Sequence, residues 1–255
     1  MSVFKIKNRK EVFAWSLYDF ANQPFTTIIV TFIYSAFFVK VIAVNEQEGT
    51  FLWTNAIAIT AVVVSLLSPI LGALADRGGY RKLFLILSTL ICALFSILLY
   101  FPTQGEVYYA LTCFVIANIA FEMGSVFCNS YLPDLSNSKN IGRISGYAWG
   151  LGFLGGLLAL FLSLFLFDIN NPDEIRKINI LVGVWFLLFS IPTFLFVNDK
   201  KREKFNKLHI YSSFHSLKDT FNSISNYRKI YRFLIARLFF NDGLITIFAL
   251  GGVYA

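Results

Sequence analysis

Charge is scarce in this chain. Only 15% of its 255 residues are Asp, Glu, Lys or Arg, against 56% hydrophobic, and a soluble domain of this length would carry more charge and shorter apolar runs. Histidine is nearly absent as well. His209 and His215 are the only two, both in one basic stretch, with no HExxH pattern, which argues against an integral membrane enzyme built on a metal or a nucleophile–base constellation. The three cysteines, Cys92, Cys113 and Cys128, are an odd number without CxxC spacing. That argues against a disulfide framework or a zinc site and reads as small apolar packing residues.

Long apolar blocks are abundant, and Phe supplies 29 residues. A bilayer crossing takes about 20 residues of helix. Seven runs meet that length, at approximately Val12–Val44, Phe51–Ala75, Leu83–Phe101, Val107–Leu132, Ser145–Phe167, Ile178–Val197 and Ile230–Ala255. The chain is therefore expected to be an all-α membrane protein. The first run is too long for a cleavable signal and is closed by no small-residue cleavage pattern, so it is retained as a span. Asn22-Gln23-Pro24 should bend it, because proline removes a backbone donor and clashes one turn back.

The net charge of +7 is not a nucleic-acid signature, because the basic residues flank the apolar blocks. They also fall on alternate connections: Lys5, Lys7, Arg9 and Lys10 before the first span; Arg77, Arg81 and Lys82 after the second; Lys139 and Arg143 after the fourth; nine more from Lys200 to Arg232 after the sixth. The other connections hold only Lys40, Arg176 and Lys177. Basic loops stay inside, so the N-terminus and the long polar segment 199–229 are expected in the cytoplasm. That segment reads as a linker: residues 1–198 form a six-span bundle, and residues 230–255 open a second one. The chain stops at Ala255, at the end of its seventh span, and is expected to be truncated or part of a longer protein.

Polar side chains inside spans need a reason. In the fourth span Asn118, Glu122, Ser125 and Asn129 recur at i, i+4, i+7 and i+11, which places them on one helix face. Such a stripe faces a bundle interior or a water-filled cavity, unless it only glues helices together. Desolvation near mid-span penalises an ionised carboxyl, which makes Glu122 the candidate for proton coupling. Asp19, Asn22 and Gln23 form a shorter stripe just before Pro24, where a bend can free backbone groups toward a cavity. In the seventh span Arg237, Asn241 and Asp242 stand out, and Asp242 opens that helix much as Asp19 opens the first. The fifth span carries Gly146, Gly150, Gly152, Gly155 and Gly156, a spacing for close helix packing or for sliding contact.

After the second span the chain reads Gly72-Ala-Leu-Ala-Asp76-Arg77-Gly78-Gly79-Tyr80-Arg81-Lys82. Gly72 would permit close helix approach, and Gly78-Gly79 a tight turn. Asp76 can meet a helix N-terminus or a basic side chain and so latch one conformational state. The stretch resembles the G-x3-D-[RK]-x-G-x-[RK]-[RK] signature of the major facilitator superfamily at every defined position.

Three further stretches narrow the resemblance. They are Trp15-Ser-Leu-Tyr18-Asp19-Phe-Ala21-Asn22; Asn129-Ser-Tyr-Leu132-Pro133-Asp134 with Ile141-Gly142-Arg143-Ile-Ser145-Gly146 and Trp149-Gly150-Leu-Gly152-Phe-Leu-Gly155-Gly156; and Asn241-Asp242-Gly243. Together they are similar to the family of vacuolar amino-acid effluxers linked to autophagy and its bacterial members. The resemblance implies about twelve spans, alternating access and a small-solute substrate; amino acids or related metabolites are the expected cargo, with proton coupling through the carboxyls. The polar residues within the spans give the expected path, lined by Asp19, Asn22, Gln23, Asn118, Glu122, Ser125, Asn129 and Asp242, and the signature match implies a cytoplasmic gating motif of Gly72, Asp76, Arg77, Gly79, Arg81 and Lys82. No cofactor, metal or nucleic acid is expected, and the full-length protein is expected as a monomer in the cell (inner) membrane. A drug exporter of the same fold is the alternative. Two departures count against it: the fourth span has Glu122 but no Arg or Lys, and Leu151-Gly152 stands where drug/proton antiporters carry Gly-Pro.

Overall fold

A computed structural model describes residues 9–199 and 228–254. Residues 200–227, most of the expected linker 199–229, and the side chains of Asp76 and Arg77 lie outside the described residues. Among the described residues the secondary structure is helical: α1 (Arg9–Ile42), α2 (Glu46–Gly78), α3 (Arg81–Leu98), α4 (Val107–Asn129), α5 (Ile141–Leu166), α6 (Pro172–Phe196) and α7 (Arg228–Tyr254). Helices α1 to α6 each contain a stretch long and apolar enough to cross a bilayer. A short turn, Leu132–Leu135, links α4 toward α5.

Helix α1 is the hub. It packs along α5 and α6; α6 in turn packs on α3, α3 on α4, and α4 on α2. Its sequence explains the position. Trp15, Tyr18, Ala21, Phe25, Ile28 and Ile29 are all buried, and its indole and carbonyl groups bond outward to neighbours. Trp15 Nε1 donates to the Cys128 carbonyl at 2.8 Å, and Thr193 Oγ1 donates to the Ala14 carbonyl at 2.7 Å. The three cysteines are free and buried.

At Pro24 the winding of α1 changes. The α-helical stretch Arg9–Pro24 gives way to π-helix over Phe25–Phe32, and a second π stretch follows at Phe38–Ile42. Proline cannot donate to the carbonyl four residues back, which here belongs to Phe20. That oxygen instead accepts from Trp185 Nε1 of α6 at 3.2 Å, and Phe20 itself stacks on Trp185.

The fifth-span glycines divide into two groups. Gly152, Gly155 and Gly156 face α1, and a Cβ on Gly155 would come within 2.9 Å of the Phe20 Cα and closer still to its carbonyl oxygen. Only a residue without a Cβ lets the two backbones approach this closely. Gly146 and Gly150 face open space, with nothing within 4 Å of a Cβ. The small-xxx-small spacing is thus read by α1 at one end of the helix and unused by the described residues at the other.

Helix α7 lies against the π-helical stretch Phe25–Phe32, the Tyr34–Phe37 turn and α2. It is exposed from Ile230 to Leu244.

Candidate functional site

The two expected polar stripes flank one another. Helices α1 and α4 meet through Phe25 stacked on Phe121, with ring centroids 5.0 Å apart, and through Tyr18, whose hydroxyl lies 2.5 Å from where a Gly124 Cβ would be. Tyr18 shares a hydrogen bond of 3.0 Å with Thr89 of α3. Asn22 falls between Tyr18 and Phe25 on the same α1 face, buried at 5% exposure. Asn118 lies one turn from Phe121 and is buried at 7%.

The short α1 stripe is split between two neighbours. Asn22 turns toward α4. Asp19 and Gln23 turn toward α5: a Cβ on Gly152 would lie 3.1 Å from the Asp19 Cβ, and one on Gly156 2.9 Å from the Gln23 Cγ. Asp19 and Gln23 are half-buried there. On α4, Ser125 is half-buried and returns its hydroxyl to the Phe121 carbonyl, while Glu122 and Asn129 are exposed on the helix flank. Glu122 therefore does not sit inside the six-helix bundle but on its surface. Asp242 is likewise exposed on α7, and no hydrogen bond or ion pair joins it to Asp19 or Glu122 among the described residues.

Helix-gluing polar residues should bond across helices. Asp19, Asn22, Gln23, Asn118, Glu122 and Asn129 make no side-chain hydrogen bond or ion pair among the described residues. In the same helices Trp15, Tyr18 and Ser16 are all bonded. The unbonded set is concentrated where the two stripes run, and its donors and acceptors remain available to water or solute.

A second cluster closes the end of the bundle that carries the α2–α3 turn. Gly79 adopts φ +67° and ends α2, a left-handed cap that glycine favours. Arg81 is buried and pairs with Asp134 at 2.8 Å, its guanidinium 5.6 Å above the Tyr131 ring. The Tyr131 hydroxyl donates to Asp199 Oδ1 at 2.5 Å. The backbone N–H of Lys82, in the first turn of α3, donates to Asp199 Oδ2 at 3.1 Å. A carboxylate is well placed there, since unpaired N–H groups give a helix N-terminus a partial positive charge. Asp134 and Asp199 thus tie the ends of α3, α4 and α6 together. At Gly72 a Cβ would meet nothing within 4 Å among the described residues.

Tyr131 and Asp199 were not singled out by the sequence. Asp199 lies immediately beyond the last apolar span, where hydropathy marks only the start of a polar connection. Its single available signal is that it is an acidic residue ahead of a basic run.

The chain matches the family described as vacuole effluxer Atg22 like over residues 38–255. It is 25% identical over 256 aligned residues to the uncharacterized MFS-type transporter YxiO of Bacillus subtilis, an alignment covering 96% of this chain and 60% of the relative. It is 24% identical over 208 residues to autophagy-related protein 22 of Yarrowia lipolytica, covering 58% of this chain and 35% of the relative. The chain thus spans less than two thirds of the length of either relative. No solved structure matches it. The family match covers most of the chain, in line with the resemblance its motifs carry, and the chain belongs to the Atg22-like vacuole effluxer family.

Proposed function

We propose that this chain forms the first six-helix bundle, and the opening helix of a second, of a secondary transporter that moves small solutes by alternating access. Amino acids or related metabolites are the proposed cargo. One observation carries the reading: within the membrane-length helices α1 and α4, the side chains of Asp19, Asn22, Gln23, Asn118, Glu122 and Asn129 bond to no other described residue. An intramembrane polar group left unsatisfied costs several kcal/mol, on the order of a lost hydrogen bond or more. Side chains kept in that condition on adjoining helix flanks suit a hydrated path.

In this reading Asn22, Asn118 and Glu122 line the path from α4's side, with Asp19 and Gln23 at the α5 side and Asp242 supplied by the second bundle. Glu122 loads and releases the coupling proton. The two bundles rock about the path. The Arg81–Asp134 pair and the Asp199 bonds hold the basic end of the first bundle rigid, so that it moves as one body. That end is the cytoplasmic one, by the distribution of Lys and Arg.

The alternative cargo is a hydrophobic cation handled by an exporter of the same fold. The absence of a basic residue from α4 weighs against it. A flux panel in proteoliposomes separates the two. Radiolabelled neutral, basic and acidic amino acids should compete with one another for saturable flux, and lipophilic dye cations should neither move nor compete. Dye flux without amino-acid flux would overturn the proposed cargo.

A further inference from the structure

Apart from Arg176 Nε of α6, whose guanidinium donates through Nη2 to Asp173, three polar atoms near the other end of the bundle have no hydrogen-bond partner although they are sealed from solvent: Thr31 Oγ1, Tyr34 Oη and Trp53 Nε1. Their residues are 3%, 1% and 0% exposed. They belong to one neighbourhood. Thr31 and Tyr34 are on adjoining turns of α1, and the Tyr34 and Trp53 rings are 6.2 Å apart. Phe38 and Phe114 close around the Trp53 indole, the latter stacked at 4.0 Å. Trp53 lies about 10 Å along α2 from its first residue at 1.5 Å per residue, within a span.

Several other buried hydroxyl and indole groups in this bundle do find partners. Ser16, Ser35, Thr60 and Ser96 each return their hydroxyl to the carbonyl four residues back in their own helix. The Trp15 indole and the Tyr18 hydroxyl bond across helices. Thr31 sits in the π-helical stretch of α1, where the backbone is wound more widely, and such bulges are frequent at functional sites. Buried polar groups in proteins are almost always satisfied by protein or by ordered water, and water at such sites makes about three hydrogen bonds.

We propose that Thr31, Tyr34 and Trp53 form an internal water site joining α1 to α2. The occupant must be small, because the three side chains are sealed. It must also accept and donate, because the indole N–H can only donate while the two hydroxyls can do either. A water accepting from Trp53 Nε1 and Tyr34 Oη and donating to Thr31 Oγ1 satisfies all three; an apolar solute satisfies none. The Tyr34–Phe37 turn also touches α6 and α7, so the water sits beside the segment where α1, α6 and α7 meet.

Hydroxyl-radical footprinting by X-ray radiolysis tests this on the protein in lipid nanodiscs, because radicals generated from a bound water oxidise the side chains around it. Tyr34 and Trp53 should be oxidised several-fold faster than Tyr18 and Trp15, which match them in residue type and burial but are bonded to protein. The added oxygen should carry the isotope when the buffer is H2(18)O. In the Thr31→Val, Tyr34→Phe double variant the Trp53 rate should fall to that of Trp15. Equal rates for the two pairs in the wild-type protein would overturn the proposal without reliance on any variant.

Discussion

Replacing Glu122 with glutamine should abolish gradient-driven flux while leaving the protein folded. The substitution keeps the side chain's shape and its capacity to hydrogen-bond but removes the ability to exchange a proton. Glu122 is exposed on α4 and bonds to no other described residue, so no packing or ion pair is lost with the charge. The expected result in proteoliposomes is a fall of at least about tenfold in flux driven by a pH gradient, corresponding to roughly 1.4 kcal/mol or more of lost coupling. Counterflow exchange at equal pH should persist, because it needs cargo binding and rocking but no net proton movement. Asp19→Asn tests the rival carboxyl in the same assay. If Glu122→Gln retains pH-driven flux and Asp19→Asn loses it, the coupling role belongs to the α1–α5 side instead. If both retain it, neither carboxyl couples transport to protons.

The second large effect is on stability and separates two glycines of the same helix. Gly155→Ala places a Cβ against the Phe20 backbone, and α1 cannot retreat because Phe20 is held from the other side by Trp185. Overpacking of this kind costs about 1–3 kcal/mol. Gly150→Ala adds its Cβ in open space and gains helix propensity, up to about 1 kcal/mol. Reversible unfolding in mixed micelles should therefore show Gly155→Ala destabilised and Gly150→Ala unchanged or stabilised. Equal losses at both positions would contradict the α1–α5 packing described above.

These two predictions differ in how far the sequence alone supports them. The first six spans were legible because each apolar run exceeds what a soluble helix needs. Their starts were less so. Helix α2 begins at Glu46 rather than near Phe51, and α6 at Pro172 rather than near Ile178, because their first turns are polar and hydropathy does not register them. Capping signals lie there: Asn45 accepts from the Glu48 N–H and Asn171 from the Asp173 N–H, and both are recognisable N-cap residues. A bend at Pro24 was the expectation from its chemistry; the structure has π-winding after it, which has no sequence signature. Helical spacing put Asp19, Asn22 and Gln23 on one stripe, but it could not tell that α4 takes Asn22 while α5 takes the other two. Small-xxx-small spacing set the pair Gly146/Gly150 and the pair Gly152/Gly156 alike, though only the second has a neighbour in the described bundle. Asp199 escaped notice because its role comes from the ends of three helices that are far apart in the chain.

The central claim is that the polar flanks of α1 and α4 line an aqueous path, and thiol accessibility tests it most directly. In a background with Cys92, Cys113 and Cys128 replaced by alanine, single cysteines would be placed at Asn22, Asn118 and Glu122 and, for comparison, at the exposed apolar position Phe161. Each would then be treated with a charged, membrane-impermeant thiol reagent and with a lipid-soluble one. The account predicts that the three path positions react with the charged reagent and are protected by transported amino acid, while Phe161 reacts only with the lipid-soluble reagent. Reaction of all four positions with the lipid-soluble reagent alone would contradict it, because the polar flanks would then face the bilayer or other protein rather than water.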